Sequence, residues 1–226
     1  MTNNIANFDL EEFLAQFNDP RIILVEAADK KSAAYARNEG LKKVRGDFIS
    51  ILDSDDFMKI NHLKEAIQTL TRSGADIYYC GYCNKLADIN WEHLRIPKEK
   101  ISKFELLTYN PIGHSSVVMR SSLEPVYPDI PRRHDLGLWL TLYDAKANFI
   151  SNKSVNIQRN LGASSLSSQK GSQIKSNWEL CQKHCHNKFQ ALFFFIILII
   201  NHLPNFILFK IKNLGSGLYK NNLNDW

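Results

Sequence analysis

An α/β fold, with a mostly parallel sheet flanked by helices, is what the sequence predicts, and three observations carry it. Short β-branched runs alternate with helix-length amphipathic stretches, as in chains that build parallel sheets. A cluster of carboxylates follows one of those runs directly, where α/β folds place their ligand sites. The 226 residues are 44% hydrophobic and 23% charged, enough apolar material for one sizeable core.

Arg21–Glu26 (RIILVE) is β-branched and bounded by polar residues, so it predicts a buried strand; Ser32–Lys43 then reads as a helix closing near Gly46. Phe48–Leu52 (FISIL) predicts a second strand, stopped by Asp53-Ser54-Asp55-Asp56. Asn61–Arg72 follows with helical spacing of Leu63, Ala66, Ile67 and Leu70. Gly74 leads into a third strand, Asp76–Tyr82. Residues 84–100 are polar and patternless and read as a loop. A short helix (Ser102–Tyr109) and a strand (Ser115–Met119) come next. Pro125, Pro128 and Pro131 then punctuate the approach to a helix over Asp135–Asp144.

The remainder, 171–226, differs in character. Residues 170–226 hold seven lysines (170, 175, 183, 188, 210, 212 and 220) against Glu179 and Asp225, an excess of five that equals the excess of the whole chain. The same segment holds the longest apolar run, Ala191–Ile200, which is shorter than the ~20 residues a spanning helix needs. A basic, apolar tail suits a membrane surface: each side chain entering the interface contributes roughly 1.5–3 kcal/mol, and each nearby lysine ~1 kcal/mol on anionic lipid. A buried core helix or a contact with a second copy fits the same run.

Met1–Asp9 has neither a basic stretch nor an apolar core, so no secretory signal is read there, and a cytoplasmic location is expected, peripheral to the inner face of the cytoplasmic membrane. The four cysteines suit a reducing compartment. Cys80 and Cys83, with Cys181, His184, Cys185 and His186, raise a structural zinc site. A three-residue separation on a strand sends Cys80 and Cys83 to opposite faces, which argues against it. The basic excess lies beside apolar rather than aromatic-platform sequence, so no nucleic acid partner is expected. Phosphate-binding glycine loops, H-E-x-x-H and G-x-S-x-G are absent from the sequence, which removes the usual support for kinase, dehydrogenase, zinc-protease and hydrolase chemistry.

The chemistry is expected at Asp53, Asp55 and Asp56. Carboxylates at a strand's carboxyl end suit Mg2+ or Mn2+, which take oxygen ligands, commonly one or two carboxylates plus substrate phosphates. The alternative is that these aspartates close a turn or cap the next helix.

Three segments in order, Ala36-Arg37-Asn38-Glu39-Gly40-Leu41, Gly46-Asp47-Phe48-Ile49 and Leu52-Asp53-Ser54-Asp55-Asp56, resemble the A-R-N-x-G, G-(D/E)-(Y/F)-I and L-D-x-D-D series of glycosyltransferase family 2. A later block agrees: Asn110-Pro111-Ile112-Gly113-His114-Ser115-Ser116 through Arg120, then Pro131-Arg132-Arg133-His134-Asp135-Leu136-Gly137-Leu138-Trp139-Leu140. The second stretch departs from the family in one place, having His134 where Glu or Gln usually precedes the aspartate. Ser164–Ser168 resembles the S-x-S segment that follows, and the likeness is strongest to bacterial surface-polysaccharide members such as teichuronic acid glycosyltransferases.

The resemblance implies a GT-A domain over 1–170 with a helical tail over 171–226, and transfer of a sugar from a nucleotide-sugar donor, a UDP-sugar in many members, to a glycan or lipid-linked acceptor. It implies inversion and dependence on Mn2+ or Mg2+. Asp53 and Asp55 would hold the metal; Arg37, Asn38 and Asp56 would join them around the donor; Asp135 would be the general base. Asp135 as a helix N-cap is the alternative. His114, Ser115, Arg132, Arg133, His134 and Trp139 are candidates for the acceptor side, His134 with a possible part in tuning the base near neutral pH.

Family members begin with a strand, a helix and a second strand that this sequence lacks, so Asp9–Phe17 is expected to be the helix that follows them, and the chain reads as N-terminally truncated. That leaves an inactive remnant or a peripheral-membrane binding module as the alternative function, and pairing with another chain open.

Overall fold

The structure is a computed structural model that describes residues 10–25, 32–86, 91–160 and 170–212. Its strands form two four-stranded sheets. The first is ordered β1 (Phe48–Ser50), β6 (Val117–Arg120), β3 (Ile77–Tyr79), β7 (Phe149–Ile150); the second β2 (Asp56–Met58), β8 (Val155–Asn160), β4 (Gly81–Leu86), β5 (Trp91–Arg95).

Strand β3 shows how the core is divided. Ile77, Tyr78 and Tyr79 are all fully buried, and strand alternation sends them to two sides. Tyr78 packs with Ala66 and Leu70 of α3 (His62–Ser73), whereas Ile77 and Tyr79 join the larger core. That core holds Ala34 of α2 (Ala33–Leu41), Leu106 and Leu107 of α4 (Lys103–Thr108), and Leu136, Leu138, Trp139 and Leu140 of α5 (His134–Asp144). Helices therefore cover both faces of the first sheet, which is why its strands read as continuous apolar runs.

The alternation of strands and helices predicts parallel neighbours, but the pairings are mixed. β3–β7 and β4–β8 run parallel, while β1–β6, β3–β6, β2–β8 and β4–β5 run antiparallel. In the first sheet the reason is β6, which arrives from a loop rather than a crossover helix and inserts against both β1 and β3. The expected strand 76–82 divides between the two sheets, β3 ending at Tyr79 and β4 starting at Gly81. A Cβ at Gly81 would lie 2.8 Å from the Arg95 carbonyl and 2.9 Å from that of Ser154, so backbone closes in on both sides and only glycine fits the transfer.

Two sequence expectations need correction. Arg21–Val25 forms no strand: Ile22, Ile23 and Leu24 lie exposed, and Glu26 falls outside the described residues. A ladder needs a partner, and among the described residues this run has none. The patternless 84–100 contains β5, which makes a hairpin with β4 that sets Asn84 opposite His93 and Lys85 opposite Glu92. Backbone pairing tolerates polar residues there, so no hydrophobic alternation announced it.

Before the sheets comes α1 (Leu10–Ala15), inside the expected 9–17. After them, α6 (Lys170–His184) and α7 (Lys188–Lys212) are not detached from the domain: Leu180, Cys181, Ala191, Phe194 and Leu198 belong to the same core as Trp139. Asp144 at the end of α5 binds α4 and α6 together, accepting from Lys103 Nζ at 2.6 Å and lying 2.8 Å from His184 Nδ1. Ser164–Ser168 lies outside the described residues.

Candidate active site

Beyond β1, Ile51 leads into a tight turn in which the Asp56 amide donates to the Asp53 carbonyl at 3.0 Å. This turn opens β2 and caps no helix; α3 starts later, with Asn61 as its N-cap. The three carboxylates of the turn differ sharply in their surroundings.

Asp53 is surrounded by donors. Arg37 Nη2 reaches its Oδ1 at 2.8 Å, and His114 Nδ1 lies 3.1 and 3.0 Å from its two oxygens. Its amide donates to Ser115 Oγ at 3.0 Å, and that hydroxyl in turn donates to Asp56 Oδ2 at 2.6 Å. Burial works against the charged form of Asp53, but the hydrogen bond and charge of His114 and the Arg37 guanidinium outweigh it and hold the carboxyl well below the usual range. Asp56 shifts the other way: burial raises it, the Ser115 hydrogen bond and Arg159 oppose the rise, and the Asp53 and Asp55 charges add to it. Asp55 is exposed and, among the described residues, makes no hydrogen bond or ion pair.

Residues of α2 therefore fix this end from behind. Asn38 acts beside Arg37 by clamping a backbone: its amide donates to the Tyr127 carbonyl at 3.0 Å and accepts from the Tyr127 amide at 2.8 Å. The Arg37 guanidinium lies 5.6 Å from the centre of the Tyr127 ring, and the Tyr127 hydroxyl is 2.8 Å from His114 Nε2. Burial raises the Tyr127 phenol, Arg37 opposes the rise, and the charges of Asp135 and Asp53 add to it.

Asp135 is the second residue of α5. The N-cap is Arg133, in the left-handed region at φ 61°, so Asp135 does not cap the helix. A carboxylate in the first turn is favoured by the helix dipole. Asn110, also left-handed at φ 40°, donates from Nδ2 to Asp135 Oδ2 at 3.3 Å. Non-glycine residues in this region cost about 1–3 kcal/mol each and collect at functional sites.

The acceptor-side candidates separate on inspection. Arg133 is half-buried and, with the Gln173 amide presenting its oxygen, donates to it through Nε at 3.2 Å and Nη2 at 2.9 Å. The Arg132 amide donates to Ser176 Oγ at 2.9 Å. His134 lies beside Asp135 with Nε2 donating to the Ile130 carbonyl at 2.6 Å; burial and the Arg37 charge lower its pKa, against the Ile130 bond and Asp135. His114 and Ser115 are buried against Asp53 and Asp56, beside the carboxylate turn. Trp139 is fully buried in the core, its ring 6.3 Å from that of His114, and so cannot touch an acceptor itself. Tyr127 and the contact of Asn110 with Asp135 were not foreseen; Tyr127 joins Asn38 across 89 positions, a separation that local pattern does not report.

The donor set suits a hard divalent cation. Asp55 is exposed, Asp53 retains unused lone pairs, and both offer the oxygen ligands such a cation takes. Among the described residues no group of three or more ligating side chains forms, so an ion here would rely on a diphosphate for much of its coordination. The cysteines are free.

The glycosyl transferase family 2 model matches residues 9–126, slightly more than half of the chain, and the protein belongs to that family. Over 91% of its length it is 29% identical to the Escherichia coli UDP-Glc:alpha-D-GlcNAc-diphosphoundecaprenol beta-1,3-glucosyltransferase WfgD, covering 78% of that protein. Over 71% it is 27% identical to the putative teichuronic acid biosynthesis glycosyltransferase TuaG of Bacillus subtilis strain 168, covering 65%. Among solved structures, S. aureus TarS 1–349 in complex with UDP-GlcNAc superposes with a TM-score of 0.60 at 14% identity, over 83% of this chain and 57% of that one. The fold is GT-A, and the chain is a glycosyltransferase related to enzymes of surface polysaccharide biosynthesis.

Proposed function

We propose that this member of family 2 transfers a sugar, with inversion, from a UDP-sugar to a lipid-linked glycan acceptor at the inner face of the cytoplasmic membrane. The single observation that carries this reading is the contrast within one turn: Asp53 is held charged by Arg37 and His114, while Asp55 is left open. Such a pair can share a divalent ion with a donor diphosphate. When bound, Mg2+ or Mn2+ supplies Lewis-acid stabilisation of the charge that develops on the leaving diphosphate.

The remaining roles fall to the chain itself. Asp53 and Asp55 orient the diphosphate end of the donor, with Asp56 held behind them by Ser115. Asp135 takes the proton of the acceptor hydroxyl as its oxygen bonds to the anomeric carbon and the bond to the diphosphate breaks. A base so placed contributes about 10²–10⁴-fold. Arg37 and Asn38 act on this site from behind, through Asp53 and Tyr127, rather than on phosphate directly.

The acceptor class is suggested by the E. coli relative, whose name specifies a diphosphoundecaprenol substrate. Helix α7 suits such a substrate: its buried face carries Ala191, Phe194 and Leu198, while Phe189, Leu192, Phe193, Ile196 and Ile200 form an exposed stripe with Lys183 and Lys188 nearby. Among the described residues no helix is long and apolar enough to cross a membrane, so the stripe would lie along the surface. Sedimentation with anionic vesicles, weakened in Phe193→Glu with unchanged folding, is the expected result; undiminished binding would remove α7 from the proposal.

A second reading, a non-catalytic membrane-binding form, is favoured by the exposed apolar run Ile22–Leu24. Calorimetry of UDP with and without Mn2+, followed by donor hydrolysis in Asp55→Ala, separates the two. Metal-dependent binding and hydrolysis that vanish in the variant support the transferase. A folded chain that binds no UDP supports the second reading.

A further inference from the structure

We propose that His114 is a positioning residue for the donor carboxylate, one end of a hydrogen-bonded chain Tyr127–His114–Asp53 that sets the orientation of Asp53 before any donor arrives. The inference rests on the proposed donor site and adds a residue that acts through Asp53.

The geometry is specific. His114 Nδ1 lies at nearly equal distances, 3.1 and 3.0 Å, from both Asp53 oxygens, so one N–H bisects the carboxylate and resists its rotation. Asp53 offers only acceptors, hence the hydrogen sits on Nδ1. On the other side of the ring, Nε2 lies 2.8 Å from the Tyr127 hydroxyl, which can accept from it or donate to it. The imidazole has no freedom to turn: it is 7% exposed, and its ring meets Tyr127 edge-on with centroids 5.7 Å apart. Tyr127 is in turn clamped at both backbone groups by Asn38. A rigid path thus runs from α2 through Tyr127 and His114 to Asp53.

Packing alone does not call for this arrangement. An apolar side chain would occupy the space beside Trp139 without desolvating two polar nitrogens. Arg37 supplies charge to Asp53, but from a partly exposed side chain that reaches one oxygen. Fixing the carboxylate from both oxygens falls to His114. Side chains that orient a ligating carboxylate from behind typically change metal affinity or activity 10–100-fold when removed.

The test uses the full chain and two readouts. By calorimetry, His114→Leu is expected to weaken Mn2+-dependent UDP binding roughly 10–100-fold, with metal-free UDP binding unchanged. His114→Asn, which can still present an N–H to Asp53, should recover most of the loss, and Tyr127→Phe, which leaves the imidazole but frees its far side, should show part of it. Should His114→Leu fail to fold, the other two variants carry the comparison. Wild-type affinity in all three, or a fall in melting temperature with metal dependence intact, would overturn the proposal. Imidazole 15N spectra of the ligand-free chain should place the hydrogen of His114 on Nδ1, with a shift in Asp53→Asn; a hydrogen on Nε2 alone also overturns it. If wild type binds no UDP while the spectra show the Nδ1 hydrogen, the functional reading fails and the Tyr127–His114–Asp53 chain stands.

Discussion

The two carboxylate-bearing parts of the candidate site, its Asp53–Asp56 wall and its Asp135 wall, are built by different means. On the wall of Asp53 and Asp56, each carboxylate is held by side chains from distant parts of the sequence: Arg37 from α2, and His114 and Ser115 from the turn before β6. On the wall of Asp135, the carboxylate has, among the described residues, one side-chain hydrogen bond, from Asn110 at 3.3 Å, and its position is set by the backbone of α5 and by two left-handed residues, Asn110 and Arg133. A wall made of hydrogen bonds can hold a fixed charge against a ligand. One made of a helix start and strained backbone can present a base that still has oxygens to spare.

The contrast predicts that changes on the Asp135 wall act on chemistry and changes on the opposite wall act on donor binding. The largest effect is expected from Asp135→Asn, which should lower transfer about 10²–10⁴-fold while leaving Mn2+-dependent UDP affinity near wild type; a parallel loss of affinity would erase the distinction. Asp55→Ala should weaken that affinity by roughly 100-fold, the upper range for groups that support a metal, with no change in melting temperature because the side chain makes no hydrogen bond or ion pair among the described residues.

Gly137 sharpens the comparison from the packing side. A Cβ there would sit 2.5 Å from Cγ of Pro128, the residue after Tyr127, so α5 and the strap that carries Tyr127 meet without room for a methyl group. Gly137→Ala is expected to cost about 1–3 kcal/mol of stability by overpacking, read by chemical denaturation, and to disturb both walls at once.

The smallest effect concerns pH. The Asp53 carboxyl is lower in the folded chain than in the unfolded one, so its contribution to stability is complete above the unfolded value of about 3.9. It is lost as pH falls below that value. Asp53→Asn should therefore flatten the acid limb of a stability-versus-pH curve, and an unaltered limb would show that Arg37 and His114 do not stabilise the charge.

Much of this was legible because it is local. The strand that precedes the aspartate turn, the helix whose first turn carries Asp135 and the amphipathic α3 follow from hydrophobic period and stop signals within short windows. The hairpin partner β5 was not legible, since its polar residues carry no alternation. Neither was the fate of Arg21–Val25, whose strand-like composition finds no partner among the described residues. In the site, Arg37 and Asn38 stood out by motif, but their contacts with Asp53 and Tyr127 did not, because the second spans 89 positions.

By itself the sequence determined the family, the α/β class and the aspartates at the strand end, all properties of residue order. Only the tertiary structure decided which aspartate is held and which is exposed, that His114 contacts both oxygens of Asp53, and that Trp139 is core. The physical reason is that charge, exposure and hydrogen bonding at a site are set by neighbours brought together across the fold, and composition along the chain carries no record of those distances.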